Sequence, residues 1–110
     1  MSAAEFEAYV TGKTLYYGQH GMAYGVEEYL SNRRVRWSFL DGDCIDGVWY
    51  EEGDAICFAY EGRDTPQCWE FFRSPRGLSA RVASDPEGEF LYEVQQSDEP
   101  MECLGPRIGA

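Results

Sequence analysis

Four cysteines are the residues of this 110-residue chain whose number and spacing say most about its chemistry. They are Cys44, Cys57, Cys68 and Cys103. An even number of cysteines in a small chain favours disulfides, which form in oxidising compartments. The chain has no CxxC pair and one histidine, His20, so a structural zinc site would have to collect thiolates from distant positions. Four reduced, buried thiols in a cytoplasmic protein are the alternative.

No grouping of reactive residues predicts catalysis. His20 lies between Gln19 and Gly21 in a segment typical of an exposed turn, and no partner or orienting group is predicted beside it. A cysteine nucleophile needs a histidine partner and a lowered pKa, and the acidic chain disfavours a thiolate. The segment Asp41–Gly47 resembles a calcium loop, but its ligands do not have the required spacing. The sequence therefore predicts a non-enzymatic protein without a metal site or a cofactor.

The acidic composition limits the partners that the surface can attract. Twenty acidic residues against nine Lys and Arg give a net charge of −11, which repels nucleic acid and anionic membranes and favours a basic protein partner. The one cluster of arginines, at 33, 34 and 36, is expected to pair with Glu27 and Glu28 across a hairpin. No apolar run approaches the roughly 20 residues that span a bilayer. The start, Met1–Glu5, lacks the pattern of a signal peptide, which keeps a cytoplasmic location open beside an exported one.

The spacing of apolar residues predicts one short helix followed by about eight strands. Ser2 and Glu5 form a capping-box pattern, and Gly12 is a suitable helix end. From Lys13 onward the apolar period changes from helical to two, which is typical of half-buried strands. The predicted strands are Lys13–Tyr17, Met22–Leu30, Arg34–Phe39, Cys44–Glu51, Ala55–Glu61, Gln67–Arg73, Leu78–Ala83 and Glu89–Gln95.

Short connections between these strands predict how they pair. Asp41-Gly42 is typical of a two-residue hairpin turn that needs positive φ at both positions. Neighbouring strands should therefore pair in sequence order, and closing the meander would remove its edges. The sequence predicts a single, mainly β domain. Residues 1–12 form the helix, 13–96 an antiparallel up-and-down meander that makes a barrel or half-barrel, and 97–110 an irregular tail.

The same alternation predicts which side chains share a face and which cysteines pair. A turn at Gly62-Arg63 sets a register that places Cys57 opposite Cys68, which leaves Cys44 to pair with Cys103. This is our first choice among the three possible connectivities. The predicted interior rows are Ile45 with Trp49, Ile56 with Phe58, Trp69 with Phe71, Val35 with Trp37 and Phe39, and Phe90 with Tyr92 and Val94.

The aromatic residues allow two interpretations. Eight Tyr, six Phe and three Trp can fill the core of a small barrel with their own rings. Alternatively, some of them line a cavity for an apolar ligand. The aromatic residues of the early strands are the ones expected to bind it: Tyr16, Tyr17, Tyr24, Tyr29 and Trp37.

The chain resembles a family of small, mostly alphaproteobacterial exported domains of unknown function, over roughly its first two-thirds. The residues that carry the resemblance are Ala4-Glu5, Thr11-Gly12-Lys13-Thr14, Tyr24, Gly47-Val48-Trp49, Ile56-Cys57-Phe58 and Cys68. The resemblance implies a lipocalin-like fold, similar to the small bacterial barrels that inhibit secreted proteases, and it implies export. It implies no particular activity.

These observations together predict a small non-enzymatic binding or inhibitor-like β-barrel that is periplasmic or secreted. Its expected partner is an apolar small molecule or a basic protein. The alternative is a cytoplasmic interaction protein with reduced thiols that forms a homodimer through an exposed sheet. The oxidation state of the cysteines would separate the two.

Overall fold

Eight antiparallel strands form a closed barrel in the computed structural model, which describes residues 1–40 and 42–103. Each strand pairs with its neighbours in sequence, and β8 returns to pair with β1. The predicted mainly β meander with a short N-terminal helix is thereby confirmed. The elements are α1 (Ala3–Val10), β1 (Thr14–Gln19), β2 (Met22–Tyr29), a 3-10 turn (Ser31–Arg33), β3 (Arg34–Ser38), β4 (Ile45–Glu52), β5 (Ala55–Tyr60), β6 (Gln67–Ser74), β7 (Gly77–Val82) and β8 (Leu91–Ser97).

Helix α1 begins and ends where the local chemistry predicts. The Glu5 backbone N–H donates to Ser2 Oγ at 3.1 Å, and the Ser2 N–H donates to Glu5 Oε1 at 2.8 Å. This reciprocal pair satisfies two N–H groups that the first helical turn leaves without partners. The helix ends at Val10, and Gly12 has a φ of 84°, which a glycine adopts without the steric cost of a side chain.

The helix closes one end of the barrel with its buried face. Ala3, Phe6 and Val10 all belong to the hydrophobic core. The Phe6 ring lies 5.1 Å from Trp49 and 5.7 Å from Tyr29 in edge-to-face contacts. Such contacts add to the stability that burial of the rings provides. We call the opposite end, where the chain turns at residues 20–21, 39–44, 61–66 and 83–90, the distal end.

Most of the predicted interior rows face the core. Trp49, Ile56, Phe58 and Phe71 are buried, and Trp69 is half-buried and packs against them. These residues are brought together by the register of the paired strands, because Trp49 lies opposite Phe58 and Ile56 lies opposite Trp69. Side chains directly opposite each other in an antiparallel pair are close enough to pack.

The predicted interior row on β8 is wrong. Leu91 pairs with Ala80, whose side chain is buried in the core. Paired residues lie on the same face of the sheet, so Leu91 also faces the interior. Tyr92 therefore lies on the outer face, where it is 49% exposed and where Phe90 contacts both it and Phe72. Polar Glu93 takes the next interior position because the Leu78 N–H and the Tyr9 hydroxyl donate to its carboxylate.

The predicted tight turn at Asp41-Gly42 is also wrong in its length. Trp37 pairs with Ile45, and the strands are joined by a longer connection, residues 39–44. Leu40 adopts a φ of 69° within it and donates its N–H to Ser38 Oγ at 3.1 Å. Asp41 lies outside the described residues.

Both predicted disulfides are present. Cys57 pairs with Cys68 across β5 and β6, in the predicted register, and Cys44 is joined to Cys103. The predicted two-residue turn at Gly62-Arg63 is wrong, because residues 61–66 connect these two strands. The second bridge ties the segment after β8 to the connection between β3 and β4. Burial of Met101 fixes this segment further, and Thr14 Oγ1 donates to the Glu99 carbonyl at 2.7 Å. The predicted irregular tail began at residue 97, but this residue belongs to β8. Residues 104–110 of the predicted tail lie outside the described residues.

Within the described ranges, no helix is both long enough and apolar enough to cross a membrane.

Candidate functional site

A cavity of about 80 Å³ lies inside the distal half of the barrel. Its inner wall includes Tyr29, Phe58 and Phe71, whose rings contact Phe6 of α1. The helix therefore supports the inner wall of the cavity, and side chains of the strands and of two distal turns form the rest. The residues that line it are Tyr17, Tyr24, Glu27, Tyr29, Trp37, Phe39, Phe58, Tyr60, Arg63, Gln67, Trp69, Phe71, Ala80 and Leu91.

Three rings form one side of the cavity mouth. Trp37 lies 6.0 Å from Tyr24 and 5.2 Å from Phe39, and Tyr24 lies 5.9 Å from Phe39, all in edge-to-face contacts. The Trp37 indole lies directly on Gly25, where a side-chain carbon would overlap its ring. A glycine at position 25 thus allows the indole to lie flat against β2 and to face the cavity.

A β-bulge explains how Tyr24 and Tyr29 reach the same cavity. They are five positions apart, and an odd separation places two side chains on opposite faces of a regular strand. Tyr17 pairs with Gly25 and Gly18 pairs with Ala23, so Tyr24 has no partner across this pair of strands. A bulge of this kind changes the direction of the extra side chain. Period-two alternation from Tyr29 would place Tyr24 on the outer face, and the bulge turns it toward the mouth.

Four polar groups of the cavity form two hydrogen-bonded pairs. The hydroxyls of Tyr17 and Tyr29 are 2.8 Å apart. The Tyr60 hydroxyl donates to both carboxylate oxygens of Glu27, at 2.8 and 2.9 Å. Burial raises the pKa of Glu27 well above its usual value, and the Tyr60 hydrogen bond opposes this rise only in part. Burial likewise raises the pKa values of Tyr17 and Tyr29, so both phenols stay protonated at neutral pH.

The expected pairing of the arginine cluster with Glu27 and Glu28 is wrong. Arg33 pairs with Glu7 at 3.0 Å, and its guanidinium lies 4.3 Å from the centre of the Trp49 ring. Arg36 pairs with Asp46 at 2.7 Å. Glu27 faces the interior, whereas Arg36 lies opposite Glu28 on the outer face. Within residues 1–40 and 42–103, no ion pair includes Glu27.

Four of the five predicted binding residues line the cavity: Tyr17, Tyr24, Tyr29 and Trp37. Tyr16 does not, because it neighbours Tyr17 and so points to the other face of β1. Binding of a ligand by these residues stays a prediction. The sequence interpretation missed Glu27 and Tyr60, although the alternation that places Glu27 on the face of Tyr29 was a usable signal.

The other sequence features give no second site in the described part of the chain. His20 lies in the exposed β1–β2 turn with a φ of 54°. The atoms of Glu52, Cys57 and Cys68 lie close enough together to hold a metal ion. Both sulfurs belong to a disulfide, however, so they do not supply the thiolates that a zinc site requires.

Comparisons with known proteins do not assign this barrel to a family. No protein-family model matches the chain, and neither a curated protein nor a solved structure matches it. The resemblance to the exported alphaproteobacterial domains therefore stays a prediction.

Proposed function

We propose that this protein is a non-enzymatic, exported binding protein that holds a small ligand in its distal cavity. The observation that carries the proposal is an aromatic-lined cavity at one end of a barrel whose other end is filled by α1. Its volume of about 80 Å³ exceeds the roughly 10–15 Å³ that a cavity needs to hold one water and is below the roughly 150 Å³ of a cavity that holds benzene. The site therefore suits a small molecule, or one compact group of a larger molecule.

The chemistry of the cavity favours binding over catalysis. Four of its polar groups are hydrogen-bonded in pairs, Glu27 with Tyr60 and Tyr17 with Tyr29. Burial raises the pKa values of the phenols, so they orient a ligand by hydrogen bonds rather than act as bases near neutral pH. Apolar walls with a few convergent polar groups are typical of ligand-binding sites.

Replacing Trp37 by alanine is expected to weaken the binding of a hydrophobic fluorescent probe about tenfold without unfolding the chain, because a wall of the cavity is lost. The probe should bind the natural protein saturably, and tert-butanol, which is more compact, should displace it. Phe72→Ala is the matched control, because Phe72 is an exposed aromatic residue on the outer face of β6. Non-saturable binding, or an equal loss in Phe72→Ala, would contradict the proposal.

The disulfides support the exported location, because such bridges persist in oxidising compartments. One observation favours the alternative of a homodimer that forms through an exposed sheet. Phe72, Phe90 and Tyr92 form an aromatic row on the outer face of the barrel. Such a row is the kind of surface that a second copy could cover.

Alkylation of protein taken from its native compartment tests the location. We expect no added mass before reduction and the mass of four alkyl groups after it, one for each cysteine. Four alkyl groups before reduction, together with a dimeric mass in sedimentation, would contradict the exported binding protein and support the cytoplasmic homodimer.

A further inference from the structure

A buried carboxyl group without a cationic partner is the most unusual feature of the cavity. Glu27 is 3% exposed, and in the described part of the chain it takes part in no ion pair. A carboxylate offers about four lone-pair positions, and the Tyr60 hydroxyl occupies part of this capacity. An unpaired charge inside a barrel is unfavourable, and a cation bound beside it would offset that cost.

Glu27 shares its cavity with several aromatic rings that could contact a cation. Tyr24, Trp37 and Phe39 form one side of the mouth, and the rings of Phe58 and Tyr60 are stacked with their planes 9° apart. The faces of aromatic rings carry partial negative charge, and groups of such rings bind quaternary and methylated ammonium ions. The net charge of −11 adds a long-range attraction for any cation that approaches.

We infer that the distal cavity binds the ammonium group of a small organic monocation, with the nitrogen beside Glu27 and its alkyl substituents against Tyr24, Trp37 and Tyr60. This inference rests on the proposed function, because it names the chemical class of ligand for the same cavity. Arg63 lines the mouth and is exposed to solvent. Its charge disfavours a second positive group at the entrance, which selects a monocation.

The binding should depend on pH through Glu27. Burial raises the pKa of Glu27, so in the empty cavity its carboxyl group keeps a proton at pH values where an exposed glutamate is ionised. Binding of an ammonium ion beside Glu27 must displace this proton. Affinity should therefore rise with pH until Glu27 is ionised in the empty protein. The pKa values of the facing phenols are raised, so they do not titrate in that range. The titratable and charged groups around Glu27 are Tyr17, Tyr24, Tyr29, Tyr60 and Arg63.

Calorimetric titration of the disulfide-bonded chain with tert-butylammonium and with tert-butanol tests the inference. The two probes have nearly the same shape and differ in charge. We expect the ammonium ion to bind at least roughly tenfold more tightly than the alcohol near pH 8, with a smaller difference near pH 5. Pivalate, the anion of similar shape, should bind more weakly than either.

Glu27→Gln is the decisive variant, because the amide keeps the shape of the side chain and an oxygen that accepts from Tyr60. It should abolish the preference for the ammonium ion over tert-butanol. Glu28→Gln is the matched control, because Glu28 is a second buried glutamate of the same strand, 8% exposed, on the face away from the cavity. It should change neither the ammonium preference nor the binding of tert-butanol. Arg63→Gln should raise ammonium affinity slightly, because it removes a solvent-screened repulsion.

The same variant provides a check on folding that does not involve a ligand. A folded-state pKa above the usual 4.5 means that Glu27 destabilises the natural protein increasingly as the pH rises from 4.5 toward the folded-state pKa. Glu27→Gln removes this penalty, so it should be folded and should gain stability relative to the natural protein over that range.

The outcomes separate the two proposals. If tert-butanol binds at least as tightly as tert-butylammonium near pH 8, the binding function stands and the ammonium assignment is overturned. The ammonium assignment is also overturned, and the binding function again stands, if pivalate binds most tightly and loses its affinity in Arg63→Gln. If none of the three probes binds the natural protein, both proposals fail. An ammonium preference that persists in Glu27→Gln also overturns the role of Glu27.

Discussion

Replacing Trp49 by alanine is expected to lower the free energy of unfolding by roughly 3–5 kcal/mol, as typical for loss of a large ring from a packed core. Trp49 is 2% exposed, and it joins the barrel wall to the helix through its contact with Phe6. The Arg33 guanidinium covers its ring and pairs with Glu7 of α1. Denaturant unfolding followed by far-ultraviolet circular dichroism measures the loss, because this signal comes mainly from the backbone and so remains usable without the indole.

Val48→Ala is the matched control for this experiment. Val48 precedes Trp49 on β4, faces outward and is 45% exposed, so its loss should cost less than about 1 kcal/mol. A small domain has only about 5–15 kcal/mol of stability in total, so Trp49→Ala should shift the unfolding midpoint strongly. Similar small losses in both variants would mean that Trp49 does not pack in the core.

The sequence predicted the barrel because its strands alternate regularly and its connections are short. Every predicted strand agrees with an observed strand to within a residue or two. The Cys57–Cys68 pair followed from counting residues around one turn, and the register places the two cysteines opposite each other. Local patterns and turn chemistry thus determine the order and pairing of the strands.

The site was less predictable because β-bulges interrupt the alternation that assigns faces. A bulge beside Tyr24 brings it to the cavity with Tyr29, and a register shift between Tyr16 and Tyr17 separates the two halves of the β1–β8 pairing. On β8, the aromatic ring of Tyr92 lies on the outer face and the carboxylate of Glu93 lies on the inner face. The alternation of apolar residues predicted the opposite arrangement, because it contains no information about the long-range contact with Tyr9 that stabilises Glu93.

Glu27 illustrates the same limit at the centre of the cavity. In the sequence it is one of two adjacent acids near a cluster of arginines, which favours a solvated ion pair. In the barrel its neighbour Glu28 takes the outer position and Glu27 meets Tyr60, which is 33 positions away. The partner of an interior polar group depends on barrel closure, which brings together strands that are distant in the chain.

Removing the Cys44–Cys103 bridge in a Cys44→Ala/Cys103→Ala double variant should lower the free energy of unfolding by about 4 kcal/mol. The bridge closes a loop with a sequence separation of 59, and the chain-entropy model predicts a larger effect for a longer loop. The variant also releases the segment after β8, which contains buried Met101. Thermal and denaturant unfolding of the non-reduced proteins measure the difference.

Cys57→Ala/Cys68→Ala is the matched control, because its bridge closes a separation of only 11 and should contribute roughly 3 kcal/mol. The two variants should also differ at the cavity. Cys44 ends the connection 39–44, which carries Phe39 at the mouth, so loss of its bridge frees one wall of the site. Probe binding should therefore weaken in Cys44→Ala/Cys103→Ala and persist in Cys57→Ala/Cys68→Ala. A stability loss under about 1 kcal/mol in the first variant, typical of a surface change, would mean that this bridge does not restrain the unfolded chain.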